Sequence, residues 1–121
     1  MIENAMVVGL DAHYARQDRL ADEDSAVYAE IVSEFRAAIV TGGDVNWCVY
    51  HAPSSCGYKL GVTSINEAIL ECIDYEEVRP LLMALIKSPS AKASEALQDA
   101  MAERWARLHA DATAEYRRAF A

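Results

Sequence analysis

Val45-Asn46-Trp47-Cys48-Val49-Tyr50-His51 decides the fold class, because it interrupts a chain that otherwise carries the spacing of helices. Val45, Trp47, Val49 and His51 alternate with Asn46, Cys48 and Tyr50. That two-residue period, rich in β-branched and aromatic side chains, belongs to a half-buried strand. Ala52-Pro53-Ser54-Ser55-Cys56-Gly57 has the composition of a turn, and Tyr58 to Val62 can return as a second strand. The segment is therefore expected to fold as a hairpin with a long loop.

Working outward, the flanks are helical. On the N-terminal side Asp22, Glu23, Asp24 and Ser25 supply a cap and an acidic first turn, which complement the positive end of a helix dipole. Tyr28, Ile31, Val32, Phe35 and Ile39 then recur every three or four residues until Gly42 and Gly43 end the helix. Further out, Ala5 to Leu10 is a short apolar run before the polar stretch Asp11 to Arg19, suited to a strand or an irregular arm. On the C-terminal side Ser64 with Glu67 fits a capping box, with Ile65, Ala68, Ile69 and Cys72 on one face. Asp74 with Glu77 offers a second box, but Pro80 cannot donate an internal helix bond, so the next helix is expected to begin nearer Pro80 or to bend there. Leu81, Leu82, Leu85 and Ile86 form the apolar side of that helix. After Ser88 and Pro89, Leu97, Met101, Trp105, Leu108, Ala112 and Tyr116 hold a stripe almost to Phe120.

Roughly thirty residues at 1.5 Å each span about 45 Å, longer than a compact domain of this size is wide. The last helix is expected to project, to pair with a partner or a second copy, or to break near Ala110 to Thr113. The fold class is α+β, predominantly helical: a small antiparallel hairpin or three-stranded sheet packed on four to five helices, in one domain over residues 1–121.

The 121 residues are 53% hydrophobic, enough for one continuous core without disulfide or metal, so no cofactor is expected. Eleven Lys and Arg against nineteen Asp and Glu give a formal charge of −8, which opposes direct nucleic-acid binding. The same excess steers the chain toward a basic protein surface, including one that normally holds DNA or RNA. An acid near the N-terminus, a short apolar run behind it and no long apolar stretch lead to the expectation of a cytoplasmic protein without a membrane span. Three cysteines, an odd number, are then expected as reduced thiols.

Three groupings could carry chemistry. Cys48, His51 and Cys56 follow a Cys-x2-His-x4-Cys spacing, and Cys72 adds a further thiol of the kind found in Cys3His zinc sites. Strand alternation sends Cys48 and His51 to opposite faces, however, and the helical stripe accounts for Cys72 as a core residue, so no metal ligand is assigned. Cys56 with His51 as base would make a thiol enzyme, but no third orienting residue and no electropositive pocket are indicated. Asp11 and His13 form an Asp-x-His pair without the other metal-binding segments that phosphoesterase chemistry requires. The five glycines make no phosphate-cradling motif. His109 is expected on the surface of the last helix. No catalytic residue is assigned.

What remains is a binding surface. Asp18, Asp22, Glu23 and Asp24 favour encounter with a basic partner, and Tyr50 and Tyr58 offer large contact area at low entropic cost. In size and acidity the chain resembles the small accessory and inhibitor proteins of phages and mobile elements, anti-CRISPR proteins among them, a resemblance of general style that covers no motif. It implies a non-enzymatic inhibitor or regulator that occupies a basic surface of a partner. The alternatives are a zinc-binding or Cys/His-dependent small enzyme, which needs Cys48, His51 and Cys56 or Asp11 and His13 to converge, and a dimeric scaffold held by the C-terminal helix.

Overall fold

In the computed structural model, described over residues 24–51 and 57–120, a long helical hairpin of sequence-distant segments clasps a two-stranded sheet. Helix α1 covers residues 24–41, strand β1 Asp44–Tyr50 and strand β2 Tyr58–Ser64. They are followed by α2 (Ile65–Cys72), α3 (Arg79–Lys87) and α4 (Ala91–Phe120). The result is the predominantly helical α+β fold with a long C-terminal helix. The apolar run Ala5 to Leu10 and the acids Asp18, Asp22 and Glu23 lie outside the described residues, as do Asp11, His13 and Cys56.

Helix α1 ends where the two glycines place its end. Gly42 takes a positive φ of 72°, open to glycine at no steric cost, and its N–H closes the last turn on the Ala38 carbonyl at 2.8 Å. The strands pair antiparallel from Asp44 with Ser64 to Tyr50 with Tyr58, so β2 runs two residues beyond the expected Val62. Ser64 then caps α2, its hydroxyl accepting from the Glu67 N–H at 3.3 Å. The second box, Asp74 with Glu77, is not used. Residues 73–78 form turns, and α3 starts at Arg79 behind Val78, with Pro80 in its first turn and no side-chain cap. Pro80 tolerates that place because the N–H it lacks would have had no helical partner there. Ser90 accepts from the Ala93 N–H at 3.0 Å and starts α4.

Helix α4 neither breaks nor leaves its stripe bare. It stays helical through Ala110 to Thr113, and Leu97, Met101 and Trp105 sit in one core cluster with Val27, Ile31 and Phe35 of α1. The Phe35 and Trp105 rings lie 6.0 Å apart between centroids. What permits this along so long a helix is a row of alanines at four-residue spacing, Ala102, Ala106, Ala110 and Ala114, all buried. Small side chains on one i, i+4 ridge let neighbouring elements approach closely, so the helix is covered over most of its length within one chain. Burial begins at Leu97 and stops after Ala114, and only the two ends of α4 project. Helix α3 is peripheral: none of its residues is fully buried, and Met83 and Ile86 are exposed.

Hydrogen bonds at both ends of the hairpin set the phase of the ladder. His51 donates to the Gly57 carbonyl at 2.8 Å, and Ile65 donates to the Gly43 carbonyl at 3.0 Å. Odd-numbered residues of both strands therefore exchange bonds within the hairpin, and the backbone groups of even-numbered residues point away from it. On β1 those outward carbonyls include the two central ones, of Asn46 and Cys48, and α4 meets both of these. Trp105 Nε1 donates to Asn46 at 3.2 Å, and His109 Nδ1 lies 3.3 Å from the Cys48 oxygen.

Candidate interaction surface

The end of the molecule that holds the hairpin tip also holds the last turns of α4. Four rings follow one another there. Tyr50 meets Tyr58 edge to face at 5.4 Å, Tyr58 meets Tyr116 at 5.8 Å, and Tyr116 meets Phe120 at 4.8 Å. Aromatic pairs in these geometries add stability beyond their buried area, about 0.5–1.5 kcal/mol each, and hold the rings in fixed orientations. Tyr50 and Phe120 nevertheless remain 63% and 57% exposed. Tyr58 is half-buried and donates its hydroxyl to Glu115 at 3.3 Å. Partial desolvation and the Glu115 carboxylate push its phenol above the ordinary value, so it stays a neutral donor.

Asp24 joins the same end through Arg118 at 2.6 Å, and Glu30 is held by both terminal guanidinium nitrogens of Arg117 at 2.8 and 3.0 Å. That fork lowers the Glu30 carboxyl below the usual range, chiefly through its hydrogen bonds. The sequence-predicted residues Asp24, Tyr50 and Tyr58 thus lie in one region, tied to it by consecutive residues of α4. The helical spacing places Tyr116 at the tail of a core stripe that stops short of Phe120. Their place in the array follows from where burial ends on α4, which periodicity alone does not mark.

The remaining charge is lopsided. Arg36, Arg104, Arg107, Arg117 and Arg118 all lie within ion-pair distance of carboxylates of the same chain. Their neutralisation leaves the acidic excess elsewhere, as on α2 and its following turn, where no Lys or Arg occurs between Lys59 and Arg79. Glu67, Glu71, Asp74 and Glu76 are exposed there around an exposed Leu70.

Among the described residues, the thiol and imidazole candidates do not converge. Cys72 is fully buried beneath α2, its thiol donating to the Met101 carbonyl at 3.5 Å, and burial pushes its pKa to about 12. It is neither a nucleophile nor a ready metal ligand at neutral pH. Cys48 is buried in β1, whereas His51 is exposed beyond the strand end. No group of three metal-capable side chains occurs among the described residues.

His109 departs from its expected surface place. It is 5% exposed, packs at 4.2 Å against Trp105, and faces a carbonyl through Nδ1. A carbonyl oxygen only accepts, so Nδ1 carries the hydrogen and Nε2 the lone pair. Nε2 has no partner among the described residues. Burial lowers the pKa of the ring, partly opposed by the bond to Cys48, and keeps it neutral. Its role is to complete the sheet edge.

No helix among the described residues is long and apolar enough to cross a membrane. No family model, curated protein or solved structure matches the chain.

Proposed function

We propose that this chain is an acidic, non-enzymatic protein-binding module that docks on a basic surface of a macromolecular partner and inhibits or regulates it. The observation that carries this reading is the four-ring array from Tyr50 to Phe120. Its two outer rings are exposed while its inner rings and Glu115 hold them in place. Rigid exposed aromatics give contact area without a large ordering cost, which is the usual character of a binding hot spot. The formal charge of −8, with arginines engaged in internal ion pairs, sets the sign of the partner. Basic surfaces of this kind include those that hold nucleic acid, the target that the resemblance to small phage and mobile-element inhibitors, anti-CRISPR proteins included, implies.

The test is capture of a partner from cytosolic extract, followed by binding kinetics with the purified pair. The expected partner carries a basic contact surface, and association slows steeply as salt rises. A Tyr50→Ala/Phe120→Ala double variant should bind at least about tenfold more weakly. Equal binding by that variant, or association indifferent to salt, rules the reading out.

A further inference from the structure

The outer edge of β2 has no strand partner among the described residues. The ladder phase that turns Asn46 and Cys48 outward on β1 also turns Tyr58, Leu60, Val62 and Ser64 outward on β2. Leu60 and Val62 are 51% and 61% exposed. Their side chains share a sheet face with Tyr50 and border a groove of about 380 Å³ whose other walls include Ile31, Thr113 and Tyr116. The usual protections of an edge are absent from its centre, since β2 holds no proline and only one charge, Lys59.

We infer that β2 pairs with β2 of a second copy of this chain, joining two hairpins into a four-stranded antiparallel sheet about a two-fold axis at Gly61. This inference is independent of the proposed function. It rests on complementarity of β2 with itself. Centred on Gly61, the pairing sets Leu60 against Val62 of the partner subunit, and these outward-facing residues exchange both backbone hydrogen bonds. The two-fold repeats the pair with the roles reversed. Lys59 falls opposite Thr63 of the partner subunit, so like charges do not meet. Charge selects the same surface. The chain carries nineteen acids, yet Val45 to Asn66 contains none. Two copies that repel elsewhere can approach here.

Sedimentation and native mass spectrometry of the full chain from about 1 to 100 µM test the pairing. The wild type should dimerise in this range, and amide exchange at Leu60 and Val62 should slow as the dimer fills. Val62→Lys, and separately Val62→Pro, should weaken the dimer at least about tenfold. Both should leave helix content unchanged, because the Val62 N–H takes no part in the hairpin ladder. The proposal is overturned by a wild type that stays monomeric, or by a dimer that both variants leave intact. It is equally overturned by slow exchange at these amides in dilute monomer, which would assign the edge to residues 1–23 of the same chain.

Discussion

The two edges of the hairpin have the same length and the same alternation, yet they end differently. The two central outward carbonyls of β1 are met by Trp105 and His109, two side chains one turn apart on α4. The outward groups of β2 face no strand among the described residues, beside exposed Leu60 and Val62. One edge is thus closed by the chain's own core, with large aromatic side chains acting as the missing strand. Edge satisfaction is a property of what packs alongside, not of the strand sequence itself.

Removing the closure of the β1 edge should have the largest effect. Trp105→Ala deletes a fully buried ring that contacts Phe35 and His109, and should cost about 3–5 kcal/mol in denaturant unfolding. Gly61→Ala acts between the two edges, where Gly61 pairs with Trp47. A methyl there would stand 2.4 Å from the Trp47 ring, which lies over Gly61 across the hairpin. The ring must move, and a loss of about 1–3 kcal/mol is expected, with the tryptophan near-ultraviolet dichroism altered.

His109→Leu keeps the bulk but removes the hydrogen bond to the Cys48 carbonyl, for an expected loss of about 0.5–1.5 kcal/mol at neutral pH. The same substitution sharpens the pH dependence. The folded pKa of His109 lies below its ordinary 6.5, so the unfolded chain takes up the proton first as pH falls. The contribution of neutral His109 is complete above about 6.5 and lost as pH drops through the folded value. Stability of the wild type should fall across that window, and in His109→Leu this component should vanish. An unchanged slope would show that the ring titrates freely. Arg118→Ala, which breaks an ion pair with Asp24 away from either edge, should cost less than about 1 kcal/mol and serves as the baseline.

The hairpin and its helical flanks were legible because period two changes abruptly to spacings of three and four at Gly42 and again at Ser64, where residues with distinct backbone or capping chemistry stand. The continuity of α4 was not. A stripe of Leu97, Met101 and Trp105 signals one buried face, but alanine is neutral in such a count, and it was Ala102 to Ala114 that allowed cover along the helix. His109 was misplaced for a related reason. A polar residue in a helix reads as exposed unless its partner is known, and that partner is a strand carbonyl sixty-one residues away in sequence. Of the binding residues, Tyr50 and Tyr58 pair across the hairpin as the alternation implies, whereas their continuation through Tyr116 and Phe120 depends on the docking of α4.

Trp105 and His109 also act as a ruler. Four residues of helix rise about 6.0 Å and two residues of strand about 6.8 Å, so the two periods nearly coincide over one repeat and drift apart over the next. Two successive outward carbonyls can therefore each meet a donor one turn apart on the same helix face. Sliding α4 along β1 by a turn would part the donors from the carbonyls they now meet and set one of them against the end carbonyl of Asp44 or Tyr50. The pair thus restricts the axial position of a thirty-residue helix to steps of one turn, a registration that apolar contacts alone would leave loosely specified.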